Sequence, residues 1–165
     1  MISADIFPAP ERTAAAILLA AGESTRMGQP KQWLDWHGMP LLQYQIMQLC
    51  ETSLQEIVVV LGHRAAESIP IVEEIGELPR VRAVINLDYR QGKTTSIKLG
   101  LNNLRWTANA VLLLAMDQPR PSQVLQHILD MHAYKSKLIS IPSYMGKHGH
   151  PPVFDSSLVP ELMAI

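Results

Sequence analysis

The chain has 165 residues, 47% apolar, 18% charged and 5% aromatic, which excludes disordered, collagen-like and coiled-coil classes and suits one core rather than two domains. Fourteen Lys and Arg against fifteen Asp and Glu give a net charge of -1, so no global field draws it to nucleic acid or anionic membrane. A lone cysteine, Cys50, cannot form an internal disulfide or a zinc cluster, which points to a reducing compartment.

Residues 1–13 contain Pro8 and Pro10 without a period and are expected to be a loose arm ahead of a single domain over 14–165. The first residues have neither a basic region nor a long apolar run, and Ala14 to Ala21 is too short to span a bilayer, so the expected location is cytoplasmic with no membrane partner. Short apolar runs at Ala14 to Ala20, Glu56 to Leu61, Val81 to Ile85, Ala110 to Ala115 and Leu138 to Ile141 read as strands covered on both faces. Between them, Leu41 to Cys50 and Ser96 to Leu104 carry apolar residues at helical spacing. Pro121 to His132 reads as a third helix with Val124, Leu125, Ile128, Leu129 and Met131 buried, leaving His127 and His132 at the surface or boundary. This alternation predicts a three-layer α/β fold with a mainly parallel sheet, whose ligands sit beyond the carboxyl ends of the strands.

The loop after the first run carries the strongest signal. Ala20, Ala21 and Gly22 let the backbone approach a ligand, and Arg26 and Lys31 add a planar fork and a point charge suited to a triphosphate. The stretch Leu19 to Lys31, Leu-Ala-Ala-Gly-x-Ser-x-Arg-Met-Gly-x-Pro-Lys, resembles the nucleotide-binding signature of the Rossmann-like nucleotidyltransferases. Its Ala20-Ala21 pair is similar to the cytidylyltransferases rather than to guanylyl-transferring relatives, and the resemblance adds Gly28 to the phosphate loop.

Gly92-Lys93-Thr94 ends like a Walker A motif, but Leu87 stands where that motif needs glycine. Gly92, Thr95, Ser96, Gly100 and Leu101 instead resemble the segment that follows the third strand of the family. The hydroxyls of Thr95 and Ser96 either read cytosine or cap a helix. Asp117, in Met116-Asp117-Gln118-Pro119, closes a buried run, where it either holds Mg2+ or caps the next helix; the resemblance implies the metal role. His148 and His150, two apart, are weak metal ligands by themselves. The segment Gly149-His150-Pro151-x-x-Phe154 resembles the acceptor-side motif of the molybdenum-cofactor cytidylyltransferases, which implies that Gly149, His150 and Pro151 face the acceptor.

The resemblance therefore implies a Mg2+-dependent transfer of CMP from CTP to molybdopterin, catalysed by Arg26, Lys31 and Asp117, with a recipient molybdoenzyme or its chaperone as a partner. One rival is a cytidylyltransferase of isoprenoid synthesis, because Pro30-Lys31-Gln32, Leu34 and Gly38 are similar to that family too. Another is a non-catalytic nucleotide binder. Related enzymes continue with a second acidic motif, whereas Asp155 is expected to cap a short segment ending at Ile165 and Glu161 to face outward. The expectation is thus a chain truncated at its C-terminus that binds CTP better than it transfers it.

Overall fold

Seven successive residues, Ala14–Ala20, form the central strand β1, and every one of them is buried. A computed structural model describes residues 13–23, 28–75, 80–105 and 108–165. The expected arm therefore falls, except for Thr13, outside the described residues.

After β1 come a 3-10 turn (Lys31–Trp33), a small ribbon of β2 (Asp35–Trp36) and β3 (Met39–Pro40), helix α1 (Leu41–Cys50), strand β4 (Glu56–Leu61) and helix α2 (Ala65–Ile75). Strand β5 (Val81–Ile85), a 3-10 turn (Tyr89–Gln91), α3 (Lys93–Asn102), β6 (Ala110–Ala115) and α4 (Ser122–Lys135) follow. The chain closes with β7 (Ile139–Ser140), the ribbon β8 (Ser143–Tyr144) and β9 (Lys147–His148), β10 (Val153–Asp155), a 3-10 turn (Ser156–Leu158) and α5 (Val159–Ala164). No described helix is long and apolar enough to cross a membrane.

The six-stranded sheet runs β5-β4-β1-β6-β10-β7. Strands β5, β4, β1 and β6 are mutually parallel, whereas β10 lies antiparallel to both of its neighbours. Alternation along β1 divides the core. Ala14, Ala16, Leu18 and Ala20 pack beneath α1, α2 and α4, while Ala15, Ile17 and Leu19 pack beneath α3 and α5. The three-layer α/β architecture matches the expectation from sequence.

Several details differ. Helix α3 starts at Lys93 rather than Ser96, directly after Gly92, whose φ of 118° a side chain would not readily adopt. Helix α2 interrupts its apolar pattern with the exposed Pro70, which hides it from a periodicity reading. In α4, Val124 is 42% exposed and Met131 only half-buried, and His132 is buried in their place, its Nδ1 2.8 Å from Ser140 Oγ. The strands β5 and β7 are sheet edges and are not covered on both faces. Asp155 does cap the final segment, accepting from Ser157 N–H at 3.0 Å, and Glu161 is exposed.

Helix α3 approaches β1 closely because residue 100 is glycine. A Cβ there would lie 2.5 Å from Ile17 Cγ2, and Ile17 is fully buried. Ala in a helix interior normally gains about 1 kcal/mol over Gly. Overpacking of about 1–3 kcal/mol should outweigh that here. Gly100→Ala is therefore expected to lower stability in denaturant unfolding, and the loss should shrink or reverse in an Ile17→Ala background, where the opposing methyl groups are gone.

Candidate functional site

The parallel strands deliver four loops to one rim. Strand order reverses between β1, which is followed in the sheet by β4, and β6 on its other side, and a cleft opens at that switch. Its volume is about 260 Å3, and its walls come from Leu19 to Gly22, Lys31 and Gln32, Tyr89, Lys93 and Ser96, and Ala115 to Asp117.

Backbone hydrogen bonds fix the rim. Leu19 C=O accepts from Met116 N–H at 3.2 Å and Ala21 C=O from His63 N–H at 3.0 Å. The Gln32 amide, 2% exposed, donates to Ala20 C=O at 2.6 Å, drawing the segment beside Lys31 back onto the strand end. From the layer beneath, fully buried Gln45 donates to Met116 C=O at 2.9 Å and Ala115 C=O at 3.2 Å. Gly62 lets the β4 loop in, since a Cβ there would lie 2.6 Å from Ala21 O.

Of the nucleotide-binding residues assigned from sequence, Ala20, Ala21, Gly22, Lys31 and Ser96 line this cleft, whereas Gly28, Gly92 and Thr95 are not among its lining residues. Ala20 and Ala21 are buried in its wall, and a side chain at Gly22 would meet open space. Gly28 lies on the first loop with φ of 69°. Lys31 Nζ donates to Asp117 Oδ2 at 3.0 Å, so the two charged groups meet at the mouth of the cleft. That hydrogen bond holds the Asp117 carboxyl below its ordinary range, with Lys93 adding a smaller push against partial burial. Arg26 lies outside the described residues.

Neither α4 nor α3 has a side-chain cap at its first N–H groups. Helix α4 begins at Ser122 after Pro121, with no side-chain cap, so Asp117 does not cap it. Likewise α3 has Gly92 at its start and no side-chain cap. Thr95 and Ser96 each accept a hydrogen bond from Asn86 Nδ2 at 2.9 Å; the Thr95 hydroxyl also donates to Gly92 C=O at 2.8 Å, at the start of α3, and Ser96 lines the cleft.

The acceptor-side motif holds a surprise for its histidine. His150 Nε2 accepts from Ala115 N–H at 2.8 Å, so this nitrogen serves the strand end and is not offered to a ligand. Burial, reinforced by the charges of Lys93 and Arg120 and opposed by Asp117, pushes His150 down to about 4. Gly149 N–H donates to Pro142 C=O at 2.6 Å, and the His150–Pro151 peptide is cis.

Sequence reasoning missed several rim residues. Lys93, set aside with the false Walker motif, lines the cleft. Tyr89 lines it too, and its hydroxyl donates to Glu23 at 3.0 Å while Arg90 Nε donates to the same oxygen at 2.7 Å. These bonds, Arg90 first, hold the Glu23 carboxyl below its ordinary value. Gln45 left a visible signal, a polar residue on the apolar stripe of Leu41, Leu42, Ile46 and Leu49.

Comparison with known proteins matches residues 16–165 to the MobA-like NTP transferase domain. The bifunctional protein GlmU of Mycobacterium marinum is 28% identical over 132 residues, which cover 77% of this chain and 27% of GlmU. A probable molybdenum cofactor guanylyltransferase of Bacillus cereus is 32% identical over 85 residues, covering 46% of this chain and 42% of that one. The chain thus spans less than half the length of these curated relatives. Rv0371c of Mycobacterium tuberculosis has the same fold, with a TM-score of 0.79 at 23% identity, covering 93% of this chain and 77% of its own.

The neutral His150 has a consequence for stability. Folding lowers its affinity for a proton, so between about 4 and 6.5 the unfolded chain binds a proton that the folded chain does not. This contribution is fully present above pH 6.5 and is lost as pH falls toward 4. Wild-type protein should therefore lose more unfolding free energy between pH 7 and pH 5 than His150→Gln, as measured by denaturant titration at both values.

Proposed function

The chain belongs to the MobA-like NTP transferase family of nucleotidyltransferases, and from that premise we propose that it transfers CMP from CTP to the phosphate of molybdopterin, releasing pyrophosphate. The observation that carries this reading is the Lys31–Asp117 pair at the mouth of a cleft built by the phosphate loop. The attacking phosphate oxygen is already anionic, so no general base is required, and catalysis reduces to alignment and charge neutralisation.

Lys31 would turn from Asp117 to the triphosphate. The pair is easily broken, because its side chains are 28% and 52% exposed and pairs of this kind contribute only about 0–1 kcal/mol. Arg26 is assigned to the same phosphates by its place in the signature. The buried Ala20-Ala21 pair and the Ser96 hydroxyl support cytosine as the base. The guanylyltransferase relative favours a second reading, in which GTP is the donor.

Among the described residues no three His, Cys, Asp or Glu side chains form a metal cage. Asp117 offers one hard oxygen at the cleft mouth, a donor set that fits Mg2+ arriving with the nucleotide and completed by phosphate oxygens and water. Bound there, Mg2+ would supply neutralisation of the triphosphate charge.

Calorimetry separates these roles. Lys31→Ala should weaken CTP by about 1.5–3 kcal/mol, the range for a hydrogen bond to a charged group. Asp117→Asn removes a carboxylate that repels phosphate and competes for Lys31, so CTP binding without metal should tighten severalfold while the gain from Mg2+ and the transfer activity disappear. Unchanged CTP affinity in Lys31→Ala would reject the site. Stronger thermal stabilisation by GTP–Mg2+ than by CTP–Mg2+ would select the second reading.

A further inference from the structure

Asn86, 5% exposed, follows β5 and is anchored by its N–H, which donates to Leu61 C=O at the end of β4 at 2.7 Å. Its carboxamide has one orientation. Oδ1 accepts from Asp88 N–H, an obligate donor, at 2.9 Å, so Nδ2 is turned to the Thr95 and Ser96 hydroxyls at 2.9 Å each. Each hydroxyl therefore accepts from Asn86 and keeps one proton to give.

The two protons have different fates. Thr95 gives its own to Gly92 C=O at 2.8 Å, with Asp88 C=O a longer acceptor at 3.2 Å. A serine inside a helix can donate to the carbonyl four residues back, which for Ser96 is the same Gly92 carbonyl, already taken by the Thr95 hydroxyl and N–H. Ser96 donates to no acceptor among the described residues, although it is 4% exposed and lines the cleft. A buried donor left in this way is satisfied by a ligand or by water.

We propose that Asn86 is a positioning residue for base recognition, which makes Ser96 a dedicated hydrogen-bond donor to the nucleobase; this rests on the nucleotidyl-transfer reading above. The base then presents an unprotonated acceptor to Ser96, which in cytosine is N3 or O2. Thr95 takes no part in the reading, because its proton is spent at the start of α3. The amide sets the polarity. A carboxylate at position 86 would accept rather than donate, draw the Ser96 proton to itself and leave lone pairs facing the base. The side chain would keep its shape, so the direction of the hydrogen bond is what changes.

Calorimetry with CTP and with inorganic tripolyphosphate, both without metal, separates base recognition from phosphate binding. In Asn86→Asp, CTP should lose about tenfold more affinity than tripolyphosphate, which shares any repulsion from the added charge. Ser96→Ala should weaken CTP by a similar factor and leave tripolyphosphate unchanged. In the double variant the ratio of the two affinities should match that of Ser96→Ala, since Asn86 acts through that hydroxyl. A purely structural role would move both ligands together and would persist without Ser96. Thermal unfolding checks the fold, and if Asn86→Asp does not fold, Asn86→Ala carries the same cycle with a smaller loss of the same sign. An unchanged ratio of CTP to tripolyphosphate affinity in the Asn86 variant, or additive losses in the double variant, would overturn the assignment while leaving the nucleotide reading intact. If the wild-type protein binds neither ligand, the nucleotide reading fails and the assignment with it.

Discussion

Three consecutive carbonyl groups at the exit of β1 hold the rim together. Leu19, Ala20 and Ala21 accept from Met116 N–H, the Gln32 amide and His63 N–H, so one strand end binds the β6 loop, the far end of the phosphate loop and the β4 loop. Leaving a buried carbonyl unpaired costs about 1–3 kcal/mol, which makes this arrangement hard to alter piecemeal. The need for small residues follows from the same contact. Gly62 admits the β4 loop only because it lacks a Cβ, and Ala21 is the backbone and side chain that such a Cβ would strike.

The loop after β1 is tethered a second time, on its other flank. Glu23 leaves β1 and receives both the Tyr89 hydroxyl and Arg90 Nε, while Arg90 stacks 5.7 Å above the Tyr89 ring. The loop after β5 is thereby fixed to the loop after β1. Tyr89 also contacts the His63 ring at 6.2 Å, so the three loops share one aromatic wall.

Much of this was legible in the sequence where local pattern and final environment agree. The runs over Ala14–Ala20, Glu56–Leu61, Val81–Ile85 and Ala110–Ala115 became strands with those bounds; in β1, β4 and β6 continuous apolar character suits a sheet with helices on both faces, while the edge strand β5 is only partly covered. The loop after β1 and Asp117 were expected on one rim because strand ends and following loops fall together in parallel sheets, and Gly22, Lys31 and Asp117 do line one cleft. What stayed hidden was long-range. Nothing local to Lys31 and Asp117 says that their charges meet across 86 residues. His150 sits in a loop motif, and only the antiparallel return through β10 brings its ring to Ala115 N–H. Lys93 misled for the opposite reason, since its local motif belonged to another fold while its place in space belonged to this site.

The two ends of the sheet use ion pairs differently. At the amino end of β4, Glu56 is 10% exposed and receives Arg82 Nη2 at 2.5 Å and Arg105 N–H at 2.9 Å, while the Arg82 group also meets Asn103 C=O. With several donors on one largely buried carboxylate, the pair acts as a permanent clasp. At the carboxyl end, Lys31 and Asp117 make one contact at 3.0 Å with far more water around the carboxylate. The same two charge types are thus locked where the fold must close and exchangeable where a ligand must enter. Burial and the number of hydrogen bonds on each carboxylate make that difference. It follows from the direction of the strands, because all four parallel strands put their carboxyl ends, and the loops that carry Lys31 and Asp117, at the open rim.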